Sequence, residues 1–195
     1  MQRNLSPFKK KTVDENVDPE HRLMNHPITD KPKQVSLSAF VLLYSEIIRY
    51  HQDRVKGIQD LESKLHEIGY QIGQRIYEVL VYVSKFKRDN NILTLLSFLH
   101  GTLWQYLFQK KADALEKSSE HSDEYMISDN NLLISKYIAA PKEMSSFSSG
   151  ALIAGIVESC CDQARFPARV TAHNVPVDGA PQRITILIKL LPGHE

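Results

Sequence analysis

Several residues of the sequence are of types that could do chemistry, but their spacing does not match a reactive site. Cys160 and Cys161 are adjacent, whereas zinc and redox sites place two residues between paired cysteines. Gly150 and Gly155 have the spacing of glycines in a phosphate-binding loop, but isoleucine and valine stand where that loop has lysine and then serine or threonine. The serines of SSFSSG lack the flanking glycines of a nucleophile elbow. We expect reduced, unreactive thiols and no nucleotide site.

The histidines and carboxylates likewise form no recognisable site. The eight histidines are scattered and include no HxxxH or HExxH pair, so no metal-ligand set is predicted. His51 and His100 each stand alone on a predicted helix, where a histidine is usually packed or exposed rather than a ligand. Glu62 and Glu67 lie among other charges, as expected for a solvated helix face. The sequence therefore predicts no catalytic residue, no metal and no cofactor, and a protein that is not an enzyme.

Composition limits the function further. The 195 residues, 42% of them hydrophobic, can form one domain with a core and a tail. The formal net charge is +1, from 24 basic and 23 acidic residues, so the whole chain has no strong field to attract nucleic acid or anionic lipid, and we expect no nucleic-acid partner. The N-terminus has no apolar segment of the kind found in a secretory signal, and the stretch from Ile92 to Phe108 is too often interrupted by polar residues to span a membrane. We expect a cytoplasmic protein.

Hydrophobic periodicity predicts the first elements of the fold. Residues 1–35 contain four of the nine prolines and almost no apolar periodicity, so we expect a flexible, disordered tail followed by one domain over 36–195. Apolar residues then recur at three- and four-residue steps from Ser36 to His51, from Ile58 to about Lys85 and from Ile92 to Leu107. Three helices are predicted.

The second half of the chain predicts a sheet and a fourth helix. The short apolar runs EYMISD and LLISKYIA are separated by an Asp-Asn-Asn turn, which is typical of a hairpin. Ala151 to Ala164 has helical periodicity, and period-two alternation in two later segments indicates strands joined by the turn-rich loop 174–182. This order of elements predicts an α+β domain of about four helices packed over an antiparallel sheet.

The first two helices have more apolar surface than one core requires. The run from Phe40 to Tyr44 puts apolar side chains all around the first helix, and the run from Ile76 to Val83 nearly does so in the second. Such helices must be covered on both sides, either by another protein chain or within this chain by a further layer or the tail. We favour another chain. The candidate interface residues are Phe40, Leu43, Tyr44, Ile47, Tyr77 and Val81.

Two glycines in the second helix indicate close packing. Gly69 and Gly73 stand four residues apart on its apolar stripe, although each glycine in a helix interior costs roughly 1 kcal/mol relative to alanine. A bare backbone can approach a neighbouring helix or strand more closely than side chains allow, and this contact would offset the cost. A tolerated glycine pair without such a role is the alternative.

Five segments in order resemble a known family. They are SLSAFVLLYSEIIRYHQDRV, GYQIGQRIYEVL, LHGTLWQYLFQKKADALEKS, YIAAPKE and AGIVESCCDQARFPARVTAH. Together they are similar to the small core subunits of TRAPP, the transport protein particle, in the branch called subunit 5. The resemblance extends from about Ser36 to Leu191. The last of the five segments is the most specific.

The resemblance implies a fold and a function. The fold is that of the Bet-three-like small subunits, with helices layered on a twisted antiparallel sheet. The function is that of a non-catalytic scaffold in a complex that tethers vesicles and exchanges the nucleotide of a Rab GTPase, in traffic between endoplasmic reticulum and Golgi. The implied partners are a Bet-three-type subunit, bound through the first two helices, and a longin-like, sedlin-type subunit. The Rab GTPase and the membrane surface would be contacted through the whole complex.

The sequence departs from one family property. Bet-three-type members are acylated on a cysteine between their second and third helices, but the corresponding segment here, Ser84 to Asn91, has no cysteine. We therefore expect no acylation at this position. A carrier of a small acyl-chain ligand, built on the same fold, is the alternative function.

Overall fold

The computed structural model describes residues 36–87, 90–138, 144, 146–176 and 183–192. The predicted tail, 1–35, lies outside the described residues, so its disorder and the domain boundary at residue 36 stay predictions. Most of the loop 174–182 also lies outside them.

Helices and strands follow one another in the order predicted for an α+β domain. The third helix, α3, is continuous from Ile92 to Phe108, with a π-helical segment between two α-helical ones. The elements are α1 (Leu37–Gln52), α2 (Ile58–Ser84), α3 (Ile92–Phe98, the π segment Leu99–Leu103 and Trp104–Phe108), β1 (Ala114–Lys117), β2 (Glu124–Asp129), a 3-10 turn (Ser135–Tyr137), α4 (Ala151–Gln163), β3 (Ala168–Val175) and β4 (Arg183–Leu190).

The four strands form one antiparallel sheet in the order β1-β2-β4-β3. Strand β4 pairs with β2 through Ile186 opposite Ile127, and with β3 through Ile188 opposite Val170. These side chains alternate with outward-facing ones and are all 2% exposed or less. The predicted α+β class is confirmed.

One strand was assigned to the wrong segment. The prediction that LLISKYIA pairs with EYMISD is wrong, because the described part of that run forms only the 3-10 turn. The partner of β2 is β1, with Leu115 opposite Ile127. Leu132 and Ile134 are each 2% exposed, so this apolar run fills the core beside the sheet instead of extending it.

Helix α4 lies at the centre of the domain. Of its residues from Ala151 to Cys161, all but Glu158 are buried, because α2 packs on one side of it and strands β3 and β4 on the other. Small residues such as Ala154 and Gly155 allow this close approach on both sides. A helix that is apolar all round and covered on both sides is thus present, and it is α4.

Candidate partner interface

Helix α1 attaches to the domain along one buried stripe. Tyr44 and Ile48 are 2% and 9% exposed. The hydroxyl of Tyr44 donates a hydrogen bond to the carbonyl oxygen of Ser149, 2.7 Å away, just before α4 begins. Burial raises the pKa of the Tyr44 phenol well above its ordinary value, so this donor keeps its proton. The structure places Tyr44 in the core of its own chain rather than on an outer surface.

A second apolar stripe runs along α1 beside the buried one. We call Phe40, Leu43, Ile47 and Tyr50 the outer stripe, since they recur at three- and four-residue steps. Phe40, Leu43 and Tyr50 are 42%, 61% and 52% exposed, and Ile47 is half-buried. An uncovered apolar row of this kind marks a surface that another protein can bury.

The candidates on α2 are less accessible than those on α1. Tyr77 is half-buried with its ring edge-on to Phe98, the centroids lying 6.2 Å apart, and Val81 is also half-buried. The more exposed side chains of this end of α2 are Tyr82 and Val83, at 61% and 53%. Sequence reasoning did not select these two, although they belong to the apolar run that it identified.

The glycines of α2 face α4, not the outer surface. A Cβ on Gly69 would overlap the carbonyl oxygen of Leu152 and lie 2.9 Å from its carbonyl carbon, and a Cβ on Gly73 would lie 2.7 Å from the carbonyl oxygen of Ile156. The contact is reciprocal, since a Cβ on Gly155 of α4 would overlap the carbonyl oxygen of His66 in α2. We call Gly69, Gly73 and Gly155 the glycine seam. Here the two helix backbones touch directly.

Polar side chains link α2 to α4 along the seam. Glu62 accepts a hydrogen bond from the N–H of Ser148 at 2.7 Å, and the hydroxyl of Tyr70 donates to Asp162 at 2.8 Å. The bond to Asp162, followed by burial, raises the pKa of Tyr70 to about 12. These contacts complete the attachment of α2, so its seam face is not available to a partner.

The carboxylate of Glu158 supports a prediction of pH dependence. Burial alone would raise its pKa, but hydrogen bonds from His66 and from the N–H of Val170, with the nearby charge of Arg169, lower the pKa below the ordinary 4.5. As the pH falls, Glu158 is therefore protonated first in the unfolded chain. The stability that its lowered pKa contributes is present above pH 4.5 and is lost as the pH falls through the pKa of the folded state. We expect Glu158→Gln to be less stable than the wild type at pH 7 and to lose less stability on acidification, measured by urea unfolding at several pH values. Identical pH slopes would contradict this.

The described residues contain little that could do chemistry. Within the parts of the chain that the structure describes, no group of three or more His, Cys, Asp or Glu could hold a metal ion. Cys160 and Cys161 are free and buried, and burial raises the pKa of the Cys160 thiol to about 12. None of the described helices is both long enough and apolar enough to cross a membrane. The outer stripe is therefore the strongest candidate for a functional surface.

Comparison with known families decides where the chain belongs. The family model described as "Transport protein particle (TRAPP) component" matches residues 40–191, which include every described helix and strand except the first turn of α1. The chain belongs to this family. The sequence resemblance to TRAPP subunits is thus confirmed.

Individual TRAPP proteins are similar over most of their lengths. Subunit 5 of the trafficking protein particle complex from Dictyostelium discoideum is 47% identical over 172 residues, which cover 87% of this chain and 92% of that protein. The human subunit 5 is 38% identical, covering 77% of this chain and 81% of that one. Subunit 31 from Saccharomyces cerevisiae is 29% identical over 86% and 80%.

A solved TRAPP structure has the same fold. The crystal structure of trafficking protein particle complex subunit 3 from Naegleria fowleri, covalently bound to palmitic acid, superimposes with a TM-score of 0.71. It covers 82% of this chain and 97% of that one at 12% sequence identity, a level at which the likeness concerns the fold alone. The predicted Bet-three-like architecture is confirmed at the level of the fold.

Proposed function

We propose that this chain is a non-catalytic scaffold subunit of the TRAPP complex, which tethers vesicles and serves as a nucleotide-exchange factor for a Rab GTPase. The family and the subunit 5 relatives support this role. The observation that carries it is the outer stripe, because three of its four side chains are more than 40% exposed although all are apolar or aromatic. A surface of this kind is expected in a protein that works by assembly.

The partners follow from the same proposal. The outer stripe, with the exposed end of α2 at Tyr82 and Val83, would pack against a Bet-three-type subunit. A longin-like, sedlin-type subunit would bind elsewhere on the chain, and the Rab GTPase would be reached only through the whole complex. The chain would then act in traffic between endoplasmic reticulum and Golgi, on the cytoplasmic side and peripheral to those membranes.

The carrier alternative is not favoured. The segment from Ser84 to Asn91 has no cysteine that could carry an acyl chain. A pocket of about 480 Å³ does exist, but it opens at the surface beside the start of α3, where Ile92, Phe166 and Leu190 contribute to its lining. The leucines that α3 directs inward, Leu95, Leu96 and Leu99, are at most 2% exposed and fill the helical core.

The proposal is tested by light scattering coupled to size exclusion, on the chain alone and mixed with a Bet-three-type subunit. We expect a one-to-one heterodimer. Leu43→Asp should weaken it about 100-fold, because the charge would be buried unpaired at the centre of the contact. Binding should be quantified by titration calorimetry, with the melting temperature of the variant measured to show that it is folded.

Leu42→Asp is the matched control for this test. Leu42 is 70% exposed, has the same side chain and is not a member of the outer stripe, because consecutive residues of a helix point about 100° apart. We expect Leu42→Asp to change the affinity by less than about threefold. A wild-type chain that stays monomeric in the mixture would contradict the proposal, and so would a Leu43→Asp variant that pairs normally.

A further inference from the structure

The outer stripe ends in an arginine held against an aromatic ring. Arg54 follows Tyr50 by four residues, just past the end of α1 at Gln52, and its guanidinium carbon lies 3.7 Å from the centre of the Tyr50 ring. Its Nη1 donates a hydrogen bond of 2.7 Å to the carbonyl oxygen of Tyr50. Both contacts fix the guanidinium at the end of the stripe, although Arg54 itself is exposed.

Most of the hydrogen-bonding capacity of Arg54 is unused by the residues that the structure describes. A guanidinium has five N–H donors, and the contact with Tyr50 occupies one of them. Among the residues that the structure describes, no carboxylate lies within ion-pairing distance of Arg54, whereas nearby Arg49 reaches Glu46 at 4.0 Å. The free donors lie in the forked geometry that binds a carboxylate through two hydrogen bonds.

We propose that Arg54 determines the specificity of the α1 interface by pairing with an aspartate or glutamate of the partner subunit. The inference rests on the proposed function. The partner would present an apolar helix face to the outer stripe and a carboxylate to Arg54. Tyrosine and arginine are, with tryptophan, enriched at the energetic centres of interfaces, and burying the pair beneath the partner removes the water that would otherwise weaken it.

Measuring both affinity and melting temperature separates this role from that of a residue that only caps the C-terminal end of α1. Arg54→Ala should weaken the heterodimer with the Bet-three-type subunit about tenfold, and Arg54→Glu about 100-fold. Arg54→Lys should recover only part of the affinity, since lysine keeps the charge but not the fork. Each variant is also melted alone. A helix-closing role would lower the melting temperature without the charge-dependent loss of affinity.

Arg49→Glu is the matched control. Arg49 is an exposed arginine within α1 that lies off the outer stripe, and we expect its reversal to change the affinity by less than about threefold. Equal losses in the two reversals would mean general charge attraction and would overturn the inference. So would normal binding by Arg54→Glu together with loss of binding by Leu43→Asp, an outcome that leaves the proposed function standing. Normal binding by Leu43→Asp would overturn both.

A charge exchange completes the test. Each aspartate and glutamate in the first two helices of the partner is replaced singly by arginine and titrated against Arg54→Glu. We expect one of these partner variants to bind Arg54→Glu at least about tenfold more tightly than the wild-type partner does, because the exchanged pair reproduces the contact with its charges reversed. Failure of every partner variant to restore binding would overturn the inference.

Discussion

Gly155→Ala is expected to lower the free energy of unfolding by about 3 kcal/mol, the upper end of the usual cost of overpacking. The new Cβ would overlap the carbonyl oxygen of His66 and lie 2.8 Å from the backbone nitrogen of Tyr70. Both are atoms of the α2 backbone, which cannot turn aside as a side chain can, so the two helices must separate. Separation would also disturb the bond between Tyr70 and Asp162. Urea unfolding followed by circular dichroism measures the loss.

Gly101→Ala is the control for the seam. Gly101 also lies within a helix, in the π segment of α3, but apart from its chain neighbours and the backbone of its own helix no described atom lies within 4 Å of the position its Cβ would take. We expect no loss of stability, and a gain of up to about 1 kcal/mol, because alanine restricts the unfolded chain more than glycine does. If Gly155→Ala were as stable as Gly101→Ala, the direct contact of the two backbones would be refuted.

Asp129→Ala is the second large loss of stability that we expect, about 2–4 kcal/mol. The residue is 1% exposed, and its carboxylate accepts hydrogen bonds from Trp104 Nε1 at 3.0 Å, from the N–H of Asn131 at 2.9 Å and from Lys110. Alanine would leave the buried indole N–H without its acceptor and remove the contact that joins α3 to the end of β2. The loss of stability is measured by chemical unfolding followed by the fluorescence of Trp104, whose indole makes the affected hydrogen bond.

Asp113→Ala is the matched control for Asp129. Its carboxylate also accepts a backbone hydrogen bond in the same turn, from Asn130 at 2.7 Å, but Asp113 is exposed. Water replaces the lost acceptor there, so we expect a loss of about 0.5–1.5 kcal/mol. Similar losses in the two variants would show that the burial of Asp129 carries no special weight.

Much of the fold could be predicted because helix and strand periods are distinct. The helical segments begin and end close to the predicted residues, and the alternation of Ile184, Ile186 and Ile188 indicates β4 correctly. Strand β1 was missed because Ala-Leu-Glu-Lys is four residues long and carries one large apolar side chain. The run containing Leu132 and Ile134 was wrongly predicted as a strand, because its apolar residues are buried in the core without belonging to the sheet.

The excess of apolar surface on α1 could be predicted, but not the face of the helix on which it is exposed. An apolar residue such as Tyr44 gives the same signal in a sequence whether it faces its own core or another chain. What separates it from Leu43 is the position of the Ser149 carbonyl, which depends on contacts between residues 105 apart in the sequence. Arg54 was missed because stacking on Tyr50 produces no periodic signal. The interface assignments of Phe40, Leu43, Ile47, Tyr77 and Val81 stay predictions.

The glycine seam also limits when α2 can fold during synthesis of the chain. The bonds that accompany it join residues 86 and 92 positions apart, so α2 leaves the ribosome well before the α4 surface that covers it exists. At 5–20 residues per second, the delay is roughly 5–20 s. Apolar faces of α1 and α2 are uncovered throughout this interval, in which aggregation competes with folding. The yield of native protein should therefore depend on how quickly the ribosome reaches α4.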